Sequence, residues 1–168
     1  MKKLIFVFVF CSFAALKSNA QELHPFSLGL GAHFGKVFND PFKSVLGGDV
    51  FLEKGIAKNL DVTLGTGFKH FFERDHLNGF PAYGSPFNVI PVRAGLRYYV
   101  IQGLFVGAEA GAGFGFEEWK TKFAWSAALG YTISHRLDVQ LKYEDFGHGK
   151  LTRQLALGVA YKIRLAKK

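Results

Sequence analysis

Strict alternation of apolar and charged residues is the feature that most constrains the fold of this chain. Leu137 to Glu144 read Leu-Asp-Val-Gln-Leu-Lys-Tyr-Glu, and the same period returns from Leu155 to Leu165. A period of two places every second side chain on the same face of a β-sheet. Here one face is apolar and the other is small, polar or charged. This pattern is typical of a barrel that stands in lipid around a polar interior.

The start of the chain has the three parts of a secretory signal peptide. Two lysines precede the apolar run Leu4–Leu16, and a small residue, Ala20, closes the segment. The run is shorter than the ~18 residues that a transmembrane helix needs. We therefore predict a signal peptide over residues 1–20 and one barrel domain over residues 21–168. The only cysteine lies inside the signal, which excludes disulfides, Fe–S clusters and thiol chemistry from the exported chain.

Eight segments of this alternation predict an all-β fold, an eight-stranded antiparallel transmembrane up-and-down β-barrel. Most segments have the nine to eleven or more residues that a tilted crossing requires, and long connections alternate with mostly shorter ones, as in outer-membrane barrels. Pro91 has no backbone N–H, so we expect a β-bulge there. The predicted strands are Phe26–Gly35, Ser44–Lys54, Leu60–Phe72, Asn88–Val100, Leu104–Phe116, Lys122–Ile133, Leu137–Glu144 and Leu155–Leu165.

Aromatic residues make up 16% of the chain, and many lie near the ends of the predicted strands. Such rings favour the membrane–water interface. A soluble β-protein with one hydrated face remains the alternative, because alternation alone does not exclude it. The aromatic residues that we assign to the interface are Phe71, Phe72, Tyr98, Tyr99, Phe114, Phe116, Trp119, Phe123, Tyr143 and Tyr161.

The last strand carries the most specific motif. Gly158 is followed by the aromatic Tyr161 and then by the apolar Ile163. With the export signal and the loop asymmetry, this strand resembles that of the small outer-membrane β-barrel family, which is OmpA- or OmpX-like. The resemblance covers residues 21–168 and implies that these three residues act as a signal for the barrel-assembly machinery. It also implies membrane anchoring, surface interaction or a very narrow channel, but no single shared reaction.

The inward face of the predicted barrel carries six acidic and six basic residues. An eight-stranded barrel is just wide enough for side chains to fill it, and an unpaired buried charge costs several kcal/mol. We therefore expect a paired polar core that blocks conduction, with a gate as the alternative. The acidic residues are Asp49, Glu53, Asp61, Glu109, Asp138 and Glu144, and the basic residues are Lys69, Arg93, Arg97, Lys142, Lys162 and Arg164.

Catalytic and cofactor motifs are weak. The six histidines have no metal-ligand spacing, and the glycines between Gly107 and Gly115 continue a strand, whereas a dinucleotide loop leads from a strand into a helix. We predict no cofactor, no metal and no catalytic residue. Loops carry function more often than walls do, so the candidate outward contacts lie in the long connection between the third and fourth strands: Arg74, His76, Phe80 and Tyr83.

These observations predict a non-enzymatic outer-membrane barrel that acts in membrane integrity or in surface recognition through its outer loops. The alternatives are a narrow porin-like channel for small solutes, a lipid A-modifying enzyme and a soluble periplasmic barrel that binds an apolar ligand. The net charge of +8 is spread without a basic stripe, so we expect no nucleic acid. The expected partners are outer-membrane lipid, lipopolysaccharide, the assembly machinery and a surface molecule of unknown identity, and we expect a monomer.

Overall fold

The eight predicted strands all form. The computed structural model describes residues 24–73, 87–116, 120–134 and 136–165. Because the alternating segments cannot bury an apolar face as single strands, they pair side by side and close into a cylinder. The strands are β1 (Ser27–Val37), β2 (Phe42–Ala57), β3 (Leu60–Glu73), β4 (Phe87–Tyr99), β5 (Leu104–Gly115), β6 (Lys122–Ile133), β7 (Leu137–Asp145) and β8 (Gln154–Arg164).

The sheet is a closed barrel in which every strand pairs antiparallel with the next strand of the chain. β1 and β8 complete the ring, with Ser27 opposite Arg164 and Val37 opposite Gln154. We call the end with the β1–β2, β3–β4, β5–β6 and β7–β8 connections the loop end. The opposite rim, which holds the β2–β3, β4–β5 and β6–β7 turns, is the turn end. The predicted eight-stranded up-and-down barrel is confirmed.

The irregular positions differ from the prediction. β3 and β4 keep one register on both sides of Pro91, with Thr66 opposite Val92 and Lys69 opposite Val89. The expected bulge at Pro91 is therefore wrong: two residue pairs are missing from the β3–β4 ladder, but neither strand has an extra residue. The register shifts instead lie in β2, between Phe42 and Ser44 and between Gly55 and Ala57. They allow β2 to run 16 residues, longer at both ends than predicted.

The alternation sorts the side chains as the sequence predicts. Leu residues and most Val residues of the strands face outward, and Leu157 on β8 is 61% exposed, which suits a surface solvated by lipid chains. Two aromatic assignments were wrong. Phe71 and Tyr99 have the parity of inward residues and are buried inside the barrel. Trp119 lies outside the described residues, as do residues 1–20 of the predicted signal peptide.

An apolar cluster fills the barrel at the loop end. Phe42, Phe71 and Phe87 pack with ring centroids 5.1 to 6.0 Å apart, and Phe146 meets Phe71 edge to face at 6.0 Å. Val37, Val45, Val89 and Ala124 complete this loop-end cluster, and Leu151 packs against it. The strand positions have inward parity except that of Phe42, which lies beyond the register shift between Phe42 and Ser44. Apolar residues therefore replace the charges found deeper in the lumen. No helix in the described part of the chain is long and apolar enough to cross a membrane.

Candidate functional site

Below the loop-end cluster lies a set of six inward charges that we call the loop-side network: Lys69, Arg93, Lys142, Asp49, Glu109 and Glu144. Asp49 and Glu109 are partly buried, and the other four are buried. Glu144 is its centre and is inaccessible to solvent. It accepts hydrogen bonds from Lys69 Nζ at 2.8 Å, Arg93 Nη1 at 2.7 Å and Gln154 Nε2 at 2.6 Å. This one carboxylate thus forms ion pairs with two cations from two other strands, which connects β7 to β3 and β4.

The remaining pairs of the loop-side network close the ring. Arg93 Nε lies 3.5 Å from Glu109, and Lys142 Nζ lies 3.2 Å from the same carboxylate. Asp49 is 3.8 Å from both Lys69 and Lys142. His33, which also points inward, accepts a hydrogen bond from Lys69 and lies 3.4 Å from Asp49. Three cations therefore face three carboxylates, which satisfies the requirement that buried charges be paired.

A second group, the turn-side network, consists of Arg97, Lys162, Glu53 and Asp138. Arg97 Nη1 donates to Glu53 and to Asp138, at 2.7 Å each. Lys162 Nζ lies 3.2 Å from Glu53 and 3.1 Å from Asp138. Because two cations share two carboxylates across β2, β4, β7 and β8, this network is also neutral.

Two phenylalanines clamp the guanidinium of Arg97. Its central carbon lies 4.8 Å from the ring centroid of Phe51 and 4.7 Å from that of Phe105, a cation–π geometry that gains strength away from water. The rings fit because glycines face them. A Cβ on Gly29 would overlap Phe51, and a Cβ on Gly130 would overlap Phe105. This arrangement was not predicted from the sequence, although both phenylalanines have inward parity.

Two predicted members of the charge network are placed differently. Asp61 is fully buried but pairs with no lysine or arginine of the described ranges; its carboxylate lies 2.8 Å from Nδ1 of His24. That hydrogen bond raises the pKa of His24 above its ordinary value. Arg164 is exposed at the turn end and forms no ion pair with a described residue, so its assignment to the lumen network was wrong. It follows the inward parity of Lys162, but β8 ends there.

The middle and the turn end of the lumen differ in how much space they leave. A cavity of about 20 Å³ lies between the two networks, lined by Asp49, Gln140 and Lys142 among others, and it has room for about one water molecule. At the turn end a vestibule of about 560 Å³, lined by Lys162 and Tyr99 among others, opens to the outside of the barrel. Side chains therefore fill the lumen beneath this mouth.

The other predicted site residues have different outcomes. Arg74, His76, Phe80 and Tyr83 lie outside the described residues. On β8, Tyr161 and Ile163 face outward while Gly158 faces inward against His33. Within the described ranges, no group of three or more His, Cys, Asp or Glu side chains could hold a metal ion.

No family model and no curated protein matches the sequence. Among solved structures, the Neisserial surface protein NspA superposes with a TM-score of 0.63 at 12% identity, covering 86% of this chain and 100% of NspA. Ail of Yersinia pestis, in a phospholipid bilayer nanodisc, gives 0.61 at 18% identity over 83% and 99% of the two chains.

A de novo designed transmembrane β-barrel gives a TM-score of 0.56 at 20% identity, with 85% of this chain and 98% of the design covered. The chain has the fold of the small outer-membrane β-barrels. The family resemblance carried by the last strand is confirmed at the level of fold. A further structure of Ail, at 19% identity and a TM-score of 0.56 over 85% of this chain and 100% of Ail, is a complex with the heparin analogue sucrose octasulfate.

Proposed function

We propose that this protein is a non-enzymatic integral outer-membrane β-barrel with a closed lumen, which acts in membrane integrity or in surface recognition through its outer loops. The observation that carries the proposal is the content of the lumen. An apolar cluster lies at the loop end, and two neutral charge networks lie beneath it. The ten charges of these networks pair with one another inside the barrel, and the cavity of about 20 Å³ between the networks has room for about one water molecule.

The outward face of the barrel favours the outer membrane as the location of the protein. A band of exposed Leu, Val and aromatic side chains on all eight strands would be an aggregation hazard in water. Lipid chains cover such a band, and the superposed barrels from Neisseria and Yersinia are a surface protein and an outer membrane protein. Fractionation of cells with heat-modifiable gel migration tests the location: we expect a compact band in the outer-membrane fraction that shifts on boiling. Mature protein in the soluble periplasm would refute it.

Conductance across a planar bilayer distinguishes the closed barrel from a narrow porin-like channel. The refolded protein is expected to show no steady openings, because an ion would have to displace the loop-end cluster and separate pairs such as Arg97–Asp138. Steady single-channel steps would overturn the closed-lumen proposal. Mass spectrometry of lipid A from cells with and without the protein should show no difference, which addresses the alternative of a lipid-modifying enzyme.

Lipopolysaccharide is the lipid partner that the loop end fits. Five lysines are exposed there, and none forms an ion pair with a described residue: Lys36, Lys43, Lys120, Lys122 and Lys150. Ammonium groups at this level attract the phosphates of an anionic glycolipid. Co-purified lipopolysaccharide should decrease in a variant with all five lysines changed to glutamine. The same number of glycolipid molecules on the variant and on the wild type would count against this partner.

A further inference from the structure

The vestibule at the turn end is unlike the rest of the lumen because it is open and polar. Its volume of about 560 Å³ falls in the range of small-molecule sites. Its floor is the turn-side network, where Lys162 Nζ lies 3.2 Å from the hydroxyl of Tyr99 and from Glu53. The side chain of Lys162 is 93% buried, so the floor is rigid and desolvated.

Acidic groups at this end are already neutralised. Glu53 accepts from Arg97 and Lys162. Asp138 accepts from Arg97 and from the Thr132 hydroxyl at 2.8 Å, and Asp61 is held by His24. A cation entering the vestibule would therefore find no unpaired carboxylate among the described residues.

The basic groups on the rim, by contrast, are not neutralised by any described carboxylate. Lys58 and Arg164 line the vestibule, are exposed, and form no ion pair with a described residue. Both stand on fixed backbone: Lys58 lies in the tight turn between β2 and β3, and Arg164 is paired with Ser27 of β1. A cleft with low-dielectric walls and charge of one sign focuses its field on ions of the other sign. The amides of Asn59 and Gln102 add hydrogen-bond donors on the same rim.

We propose that this vestibule is a binding site for an anion that carries phosphate or carboxylate oxygens and enters from the turn end. Arg164 and Lys58 would hold the oxygens, and Asn59 and Gln102 would donate to them. The site goes beyond the proposed function and does not depend on it. A free solute and the end of an anionic chain share this chemistry.

Titration of the refolded protein in detergent micelles tests the site. Inorganic phosphate and malonate are added in separate arms at constant ionic strength, and backbone amide shifts are followed by NMR. We expect saturable shifts confined to the vestibule rim, around Lys58, Asn59, Gln102 and Arg164. The arm with tighter binding identifies the ligand as a phosphate or a carboxylate. Shifts that rise linearly without saturation in both arms would overturn the proposal.

Substitutions make the test specific. Arg164→Gln and Lys58→Gln should each raise the apparent dissociation constant by about fivefold, which corresponds to about 1 kcal/mol. The matched control is Lys54→Gln, which removes an exposed lysine of β2 at the same end that does not line the vestibule. It should change the constant by less than about twofold. Equal weakening by the control would show general charge attraction and refute the site.

Because each variant is checked for heat-modifiable migration, loss of binding cannot be confused with loss of fold. The measurement also requires no membrane. A negative titration would therefore leave the proposed outer-membrane function standing, and a failed fractionation would leave the anion site standing.

Discussion

Substituting Glu144 with glutamine tests whether the lumen is held together by charge balance. Glu144→Gln keeps the size of the side chain but leaves three cations of the loop-side network facing two carboxylates. Lys69 and Arg93 each lose a carboxylate, at 2.8 and 2.7 Å, and their remaining carboxylate partners are Asp49 at 3.8 Å and Glu109 at 3.5 Å. Because both cations are buried, we expect the free energy of unfolding to fall by about 3–5 kcal/mol.

The assay is urea unfolding of the refolded barrel in lipid vesicles, followed by tryptophan fluorescence and by heat-modifiable migration. A compensating variant, Lys69→Met with Glu144→Gln, restores two cations against two carboxylates and should recover more than half of the loss. Lys54→Gln, which changes an exposed charge, should shift stability by less than about 0.5 kcal/mol. A loss below about 1 kcal/mol for Glu144→Gln, or a double variant no more stable than the single one, would refute the charge-balance argument.

Three further predictions follow from other parts of the lumen. Phe146→Ala removes a fully buried ring from the loop-end cluster and should cost about 3–5 kcal/mol in the same assay, whereas Phe123→Ala, which changes an exposed ring, should cost clearly less. Gly130→Ala forces a Cβ into the ring of Phe105 and should cost about 1–3 kcal/mol; Gly107→Ala, whose Cβ would meet its nearest atom at 3.5 Å, should be close to neutral, and equal costs would contradict the clamp on Arg97. The raised pKa of His24 means that its contact with Asp61 adds stability below pH 6.5 and loses that contribution as the pH rises through the raised value; an NMR titration should show the pKa of His24 falling in Asp61→Asn, and an unchanged pKa would contradict the pairing.

Much of the fold could be predicted because lipid and water impose a local rule on every strand. Leu137 to Glu144 and Leu155 to Leu165 alternate without error, so parity alone assigned Asp138, Lys142 and Glu144 to the lumen. The ends of the strands were harder. β2 was predicted too short because its two register shifts break the alternation. A bulge was expected at Pro91 because its N–H is missing, but β3 and β4 keep the same register on both sides of it.

The site was predictable as a list of charges but not as a set of pairs. Glu144 receives Lys69 from β3 and Arg93 from β4, contacts that depend on the stagger of three strands. Phe71 and Tyr99 were assigned to the interface because aromatic residues near strand ends are common there, yet their parity sends them inward. Strict use of parity would have found both residues and the loop-end cluster apart from Phe42, which lies beyond a register shift in β2.

The sequence by itself determined that this chain forms eight amphipathic strands with a neutralisable polar interior, because a period of two is a property of each strand alone. Closure of the barrel decided the rest. Only the shear between strands places Arg97 between Phe51 and Phe105, assigns each carboxylate its cations, and leaves Lys58 and Arg164 at the turn end without an ion pair to any described residue. Those outcomes depend on distances across the lumen, and no spacing along the chain records them.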